Sequence, residues 1–114
     1  MVRMIYHMCS AEAWEEAKLA GVYRGSDDDR RDGFLHFSTA EQIAESARRH
    51  RAGQAGLVLL AVESARLGDR LRWEPSRGLQ LFPHLYGPLD PDEAASVRPL
   101  PLGPDGLHVF PARD

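Results

Sequence analysis

The most hydrophobic segment of the chain is residues 57–62, in which every side chain is apolar. A run of this length without polar alternation predicts a strand that is covered on both faces, so we expect it to be the spine of a sheet. Residues 2–8 mix β-branched, aromatic and other apolar side chains, which is typical of a second strand. Weaker patterns predict short strands at residues 22–24, 34–37 and 71–74.

An amphipathic helix is predicted over residues 11–20. Its apolar residues, including Trp14, recur on one stripe at helical spacing. Ser10 is a favoured N-cap residue, and Gly21 suits the left-handed position that ends many helices. We therefore expect Trp14 to lie in the core.

A second helix is predicted from about residue 40 to residue 51. Two overlapping capping boxes precede it, one formed by Ser38 with Glu41 and the other by Thr39 with Gln42. Their spacing does not decide between them.

The remaining segments are rich in turn residues. Residues 25–33 are polar, charged and bounded by glycine, so we expect an exposed and mobile loop. Asp90-Pro91-Asp92-Glu93 supplies an N-cap, a proline at N1 and an acid at N3, which predicts a short helix to about residue 96. A hairpin is predicted between residues 97–102 and 107–110, with its turn at residues 103–106.

Composition limits the class of protein. The 114 residues are 43% hydrophobic and 27% charged, which predicts one globular domain, residues 1–114. A formal net charge of −3 argues against non-specific nucleic-acid binding. The single cysteine, Cys9, cannot form an internal disulfide, and no apolar run is long enough to span a bilayer. We expect a cytoplasmic protein with no membrane partner, favour a monomer, and expect Cys9 to be inert.

Three histidines stand among apolar residues near predicted strand ends. His7 ends the first strand, His36 lies within residues 34–39, and His84 lies within residues 82–87. Histidines in such surroundings need hydrogen-bond partners, which a cleft at a sheet edge would supply. Single histidines of this kind are often structural, so a shared site and three separately satisfied rings both remain open.

Other polar residues near these histidines have two interpretations each. Ser38 and Thr39 suit helix caps, yet the start of a helix also binds phosphate or carboxylate groups. Arg72 and Glu74 share one face of a predicted strand, either as a solvated ion pair or as contacts to an anion and a hydroxyl. Tyr86 suits either stacking on a ligand ring or a place in the core.

Several segments resemble a known family: residues 4–7, Trp14 with the alanines after it, and residues 33–39, 57–62 and 82–87. They resemble the domain of unknown function 952 family, over residues 4 to about 100. That family is distantly similar in fold to ADP-ribosyltransferases and RNA 2′-phosphotransferases. The resemblance implies an α+β fold with a split, mainly antiparallel sheet, flanked by two main helices and one short helix.

The resemblance also implies a ligand, NAD or another ADP-ribose-containing nucleotide. The segment of His36 with Ser38 and Thr39 is similar to the strand-borne histidine that contacts a ribose hydroxyl in those enzymes. Their catalytic glutamate has two candidate counterparts here, Glu74 and Glu63.

Three functional hypotheses follow. The first is an enzyme or degenerate enzyme with ADP-ribosyltransferase-like or phosphotransferase-like activity, with His36 and Glu74 as catalytic residues. Its ligand-binding residues would be His7, Ser38, Thr39, Arg72, His84 and Tyr86. The second is a hydrolytic zinc site built from His7, His36 and His84, because three imidazoles with one open position suit that metal. The third is a non-catalytic module that binds a small ligand or a partner.

Overall fold

The strand predicted at residues 57–62 is an interior strand in the computed structural model, which describes residues 3–111. In chain order the strands are β1 (Met4–Ser10), β2 (Leu35–His36), β3 (Ser38–Thr39), β4 (Leu57–Glu63), β5 (Leu71–Pro75), β6 (Leu81–Leu85) and β7 (Ala94–Leu100). Within those residues, the first sheet has the order β3-β1-β4-β7 and the second sheet has the order β2-β6-β5. All these neighbours are antiparallel, so the fold is α+β with antiparallel sheets and few helices.

Helices connect the strands. The α-helices of residues 3–111 are α1 (Ala11–Ala20), α2 (Asp27–Asp32) and α3 (Ile43–His50), and the 3-10 segments are Ser64–Arg70, Arg77–Leu79 and Pro91–Glu93. The predicted bounds of α1 are confirmed. Its Ser10 cap accepts a hydrogen bond from the N–H of Ala13 at 3.0 Å, Gly21 is left-handed with φ 78°, and Trp14 is buried. Among the described helices, none is both long and apolar enough to cross a membrane.

Both faces of β4 are covered, as its sequence predicts. Leu60 and Val62 face a cluster that joins the first sheet to the second sheet and to α1. Leu59 and Ala61 face a second cluster, which α3 covers. Burial on both faces explains why this strand carries no polar alternation.

The predicted loop at residues 25–33 is wrong, because most of it forms α2. Ser26 and Asp29 build a capping box: the Ser26 hydroxyl accepts from the Asp29 N–H at 3.3 Å, and Asp29 accepts from the Ser26 N–H at 2.8 Å. Asp29 is only 3% exposed. A polar segment can bury one carboxylate when that group has enough hydrogen-bond donors.

The second predicted helix is confirmed in place but starts later, at Ile43. Of the two capping boxes, the one that forms joins Thr39 to Gln42, with N–H to side-chain bonds of 3.0 and 3.2 Å. Ser38 is instead buried, and its hydroxyl bonds the hydroxyl of Ser46 at 2.8 Å. A turn therefore separates β3 from α3.

The C-terminal prediction is confirmed only in part. The Asp90 capping box forms, but it starts one 3-10 turn rather than a helix to residue 96. The residues after this turn form β7 instead, because they pair with the edge of β4 that β1 leaves free, with Val97 opposite Leu60. The turn at residues 103–106 is present, and the predicted hairpin shrinks to a bridge between Leu102 and His108.

Other strand predictions are partly right. The strand at residues 2–8 runs from Met4 to Ser10, and Val2 lies outside the described residues. The strand at residues 34–37 shortens to β2, and the one at residues 22–24 shortens to a bridge between Tyr23 and Leu89. The strand at residues 71–74 is confirmed as β5.

The chain crosses from the second sheet to the first at Phe37. This residue separates β2 from β3, and its N–H donates to the carbonyl of Pro83 at 3.0 Å. Phe37 is buried in the core cluster, whereas the side chain of His36 is 41% exposed on the side of the cleft. The sheets diverge beside His36, and a cleft lies there.

Candidate functional site: a cleft lined by three histidines

A cleft of about 640 Å³ lies between the two sheets, α2 and the end of α3. His7, His36 and His84 all line it, so the structure brings the three candidate histidines into one cavity. The other polar and charged side chains in its lining come mainly from α2 and α3: Ser26, Asp28, Asp29, Arg31, Asp32, Ser38, Ser46, Arg49, His50, Arg51 and Ser76, together with Tyr6.

Strand register places His36 and His84 side by side. They are direct partners in the β2–β6 pair, and their ring centroids lie 5.9 Å apart. Arg72 is the partner of His84 on β5, so it lies on the same face of the second sheet. His36, His84 and Arg72 become neighbours only when β2 pairs with the distant β6, which itself pairs with β5.

His36 lies between two carboxylates. Its Nδ1 is 2.5 Å from Oδ1 of Asp29, and its Nε2 is 3.0 Å from Oδ2 of Asp32. An ionised carboxylate only accepts hydrogen bonds, so both ring nitrogens carry a proton and the ring is an imidazolium. The hydrogen bond to Asp29, with the charges of both carboxylates, raises the pKa of His36 despite its partial burial.

Asp29 holds His36 in place and was missed as a site residue from the sequence. Its Oδ1 accepts from the backbone N–H of His36 at 3.0 Å and from the imidazole, and its Oδ2 accepts from the N–H and the hydroxyl of Ser26. Burial alone would raise the pKa of Asp29, but the bond from the His36 imidazole and the bonds from the backbone N–H groups of Ser26 and His36 lower it below its usual range. The sequence did contain a signal for Asp29, because the spacing of Ser26 and Asp29 is that of a capping box.

His7 has a structural and neutral role. Its Nδ1 lies 2.7 Å from the carbonyl of His36, which can only accept, so Nδ1 carries the proton. Its Nε2 therefore accepts from the hydroxyl of Tyr23 at 2.7 Å. Burial lowers the pKa of His7, although Asp29 opposes that shift. Burial also raises the pKa of Cys9 to about 11, which keeps this residue a thiol at neutral pH.

His84 is oriented differently. Its Nδ1 lies 2.8 Å from Oε1 of Glu74, which also accepts from the hydroxyl of Tyr86 at 2.7 Å. The His84 bond and then the Tyr86 bond lower the pKa of Glu74. Phe34 stacks on the His84 ring at 4.0 Å between centroids and an interplanar angle of 25°. In residues 3–111 the hydrogen bonding of this ring is confined to Nδ1, which leaves Nε2 for the cleft.

Several predicted site residues lie beside the cleft rather than in it. Thr39 is buried in its capping box, while Ser38 lines the cleft with its hydroxyl bonded to Ser46. The predicted phosphate site at the start of α3 therefore has both hydroxyls already bonded. Glu74 and Tyr86 lie behind His84, and the guanidinium of Arg72 lies 4.9 Å from the centre of the Tyr86 ring.

The cationic side of the cleft comes from the other end of α3, which the sequence did not single out. Arg49 pairs with Glu45 at 2.6 Å. Arg51 donates only to the amide oxygen of Gln54, at 3.3 Å, and in the part of the chain that the structure describes it has no carboxylate partner. Arg51 is therefore the arginine best placed to receive an anion in the cleft.

The three histidines do not form a metal site. Among residues 3–111, no group of three histidine, cysteine or acidic side chains is placed to hold a metal ion. The reason is visible for His7 and His36, whose ring nitrogens all have partners, because a ligating histidine needs a free lone pair. The geometry therefore gives the zinc hypothesis no support.

Fold and cleft together define an α+β protein of antiparallel sheets with a histidine–carboxylate site at their junction. The family model for the protein of unknown function DUF952 matches residues 8–97, and the chain belongs to that family.

Solved structures of one relative agree with this assignment. A crystal structure of protein CC0527 from Caulobacter crescentus is 46% identical, with 93% of each chain covered and a TM-score of 0.90. Its solution NMR structure is 47% identical, with 91% of this chain and 90% of that chain covered and a TM-score of 0.83. No curated protein matches the chain. The relatives establish the fold, and the function has to be inferred from the cleft.

The pKa values of His36 and His7 should be shifted in opposite directions from the ordinary value of histidine. His36 should remain protonated above the ordinary value of 6.5, because its pKa is raised, whereas His7 should remain neutral below 6.5, because its pKa is lowered. Long-range ¹H–¹⁵N spectra of the imidazoles between pH 5 and 9 measure both states.

The same shifts set the pH dependence of stability. The His36 contribution is fully present below 6.5 and is lost as the pH rises through its raised pKa. The His7 contribution is present above 6.5 and is lost as the pH falls towards its lowered pKa. Both rings titrating near 6.5 would contradict the hydrogen-bond assignment.

Proposed function

We propose that the cleft binds a small phosphorylated ligand, with NAD or another ADP-ribose-containing nucleotide as the best candidate. One observation carries this proposal. A single cavity of about 640 Å³ is lined both by the His36 imidazolium and by Arg51, which has no carboxylate partner among residues 3–111. Ligand sites for molecules of nucleotide size have volumes of roughly 300–1,000 Å³. We further propose that the two antiparallel sheets are distantly similar to those of ADP-ribosyltransferases and RNA 2′-phosphotransferases, as the family resemblance of the sequence implies, and this would favour the same ligand class.

The cleft offers both kinds of contact that such a ligand needs. Arg51, with Arg49 beside it, suits a pyrophosphate, because guanidinium groups bind phosphate oxygens through paired N–H donors. Asp32 and His36 suit the hydroxyls of a ribose, since a carboxylate accepts from them and an imidazolium donates to them. A purely anionic ligand would meet repulsion from the acidic side of the cleft, which includes Asp28.

This assignment changes the roles expected from the sequence. The phosphate contacts move from Ser38 and Thr39 to the end of α3, because both hydroxyls are bonded within the protein. Tyr86 becomes a less suitable stacking partner, since Arg72 already covers its ring. His36 keeps its predicted role at the ribose.

A thermal-shift titration with NAD, ADP-ribose, AMP and a 2′-phosphorylated nucleotide tests the proposal. At a concentration of about 100 Kd, a ligand should raise Tm by on the order of 10 °C, because binding stabilises the native state by mass action. Arg51→Gln should weaken the affinity for ADP-ribose about tenfold, since it removes a charged hydrogen-bond donor. His36→Ala should abolish binding.

Arg24→Gln is the matched control, because Arg24 is exposed and lies outside the lining of the cleft. It should leave the affinity unchanged. The proposal fails if none of the nucleotides raises Tm in the wild type, and the placement of the phosphates fails if Arg51→Gln and Arg24→Gln bind equally well.

A further inference from the structure

Two histidines of the cleft differ in their hydrogen bonds: those of His84 suit a proton acceptor, and those of His36 suit a proton donor. We propose that His84 acts as a general base and His36 as a general acid in the metal-free hydrolysis of the phosphoanhydride bond of a nucleotide in the cleft, with Glu74 as the positioning residue of His84. This inference rests on the proposed nucleotide binding and adds a reaction to it.

Hydrogen bonds determine which nitrogen of His84 is free. Oε1 of Glu74 accepts from the hydroxyl of Tyr86 at 2.7 Å, and a carboxylate that accepts this bond can take a second donor, so Nδ1 of His84 carries the proton. In the neutral ring this tautomer places the lone pair on Nε2, which is left for the cleft. A histidine whose Nδ1–H is held by a carboxylate is the arrangement that makes a general base in many hydrolases.

The ring of His84 is also held rigidly. The residue is buried, and Phe34 stacks on it at 4.0 Å between centroids. A fixed ring keeps the lone pair of Nε2 pointing in one direction. A general base must first be positioned within hydrogen-bond distance of the proton that it removes.

His36 has the opposite preparation. Both of its ring nitrogens face carboxylates, so it is a donor only. Asp29 on the inner side is buried, whereas the side chain of Asp32 on the outer side is 35% exposed. The Nε2–H of His36 therefore donates to the exposed carboxylate of Asp32, and it can donate to a ligand oxygen instead when a ligand is bound.

The two rings are close enough for each to reach an oxygen bound to the same phosphorus atom. Their centroids are 5.9 Å apart, and in an in-line displacement the attacking and leaving oxygens lie on opposite sides of phosphorus. Arg51 in the same cavity is placed to balance the charge of the phosphate oxygens.

The step balances with water as the second reactant. The oxygen of water forms a bond to phosphorus while its proton passes to Nε2 of His84. The bond from phosphorus to the bridging oxygen breaks, and that oxygen receives the Nε2 proton of His36. ADP-ribose and water give AMP and ribose 5-phosphate, after which His84 releases a proton to solvent and His36 takes one up.

Charged groups on every neighbouring element face this pair and contribute to its pH dependence. They are Arg72 and Glu74 on β5, Tyr86 after β6, His7 on β1, Asp28, Asp29, Arg31 and Asp32 on α2, and Arg49, His50 and Arg51 at the end of α3.

The test is AMP release from ADP-ribose in excess EDTA, measured by chromatography on the full chain. His84→Gln should reduce kcat by on the order of 10²–10⁴-fold, as expected when a general base is removed. It should still show the thermal shift with ADP-ribose. His108→Gln is the matched control, since His108 bonds the backbone of Gln54 away from the cleft, and it should keep full activity.

Glu74→Gln separates positioning from a purely structural effect. It should lower kcat about tenfold or more with KM unchanged, because an amide holds the Nδ1–H of His84 less firmly than a carboxylate does.

Each failure has its own meaning. A thermal shift with ADP-ribose but no AMP overturns the hydrolysis and leaves nucleotide binding intact, whereas no thermal shift and no AMP overturns both. AMP release that EDTA stops, or that His84→Gln leaves unchanged, also overturns the acid–base assignment.

Discussion

Asp29→Asn should lower the free energy of unfolding by about 2–4 kcal/mol, the largest loss expected from a polar substitution in the cleft. The amide offers one oxygen where the carboxylate offers two charged acceptors, so either the two donors of Ser26 or the two donors of His36 lose their partner. The loss is smaller than for a fully buried ion pair because the His36 side chain is 41% exposed. Urea unfolding followed by tryptophan fluorescence measures it.

Asp32→Asn is the matched control for this experiment. Asp32 bonds the other nitrogen of the same ring but is partly exposed, so its loss should lower the free energy of unfolding much less than the loss of Asp29 does. Equal losses from the two variants would show that Asp29 does not organise the site. The Asp29→Asn variant should also bring the titration of His36 to a lower pH, because its strongest partner has lost its charge.

Gly25→Ala should destabilise the protein by about 2–4 kcal/mol, from overpacking together with backbone strain. Gly25 has φ 90°, and a Cβ there would lie 2.4 Å from Cδ2 of Leu35 and 2.6 Å from Cβ of Asp29. The first contact is with the core and the second is with the residue that holds His36, so neither neighbour has room to move freely. Thermal or urea unfolding gives the magnitude.

Gly33→Ala provides the comparison, since Gly33 has nearly the same conformation, φ 85°, with nothing within 4 Å of the added Cβ. It should cost only about 1 kcal/mol, the penalty for a left-handed non-glycine residue. The difference between the two variants isolates the close approach at Gly25. If the two alanine variants were equally stable, the contact between Gly25 and Asp29 would have no energetic role.

Local patterns were enough to predict the elements that depend on local chemistry. The apolar run around Leu60 became a strand buried on both faces, and Ser10 and Gly21 fixed the ends of α1. By contrast, β6 was not assigned as a strand, because Pro83 lies in its middle and proline lacks the N–H that a strand interior uses. The structure accommodates it between Trp73 on one side and the N–H of Phe37 on the other.

The site shows the same division. The sequence singled out His7, His36 and His84 but left open whether they share a site, and the structure brings them to one cavity, with His7 in the middle of β1 rather than at its predicted end. Asp29 could not be found in this way, because its burial depends on donors from His36, seven residues along the chain, and on the docking of α2. Arg51 likewise faces the cleft only because α3 packs across the first sheet.

Because only Phe37 separates β2 from β3, the number of residues between the two strands determines which side chain reaches the cleft. Leu35 and Phe37 are buried in the core cluster, whereas the side chain of His36 between them is 41% exposed, so the three consecutive positions alternate between an apolar and a solvated environment. Inserting or deleting one residue here would exchange the two environments, with an imidazolium driven into the core and a phenyl ring left in the cleft. This short segment is therefore constrained in its length as well as in its side chains.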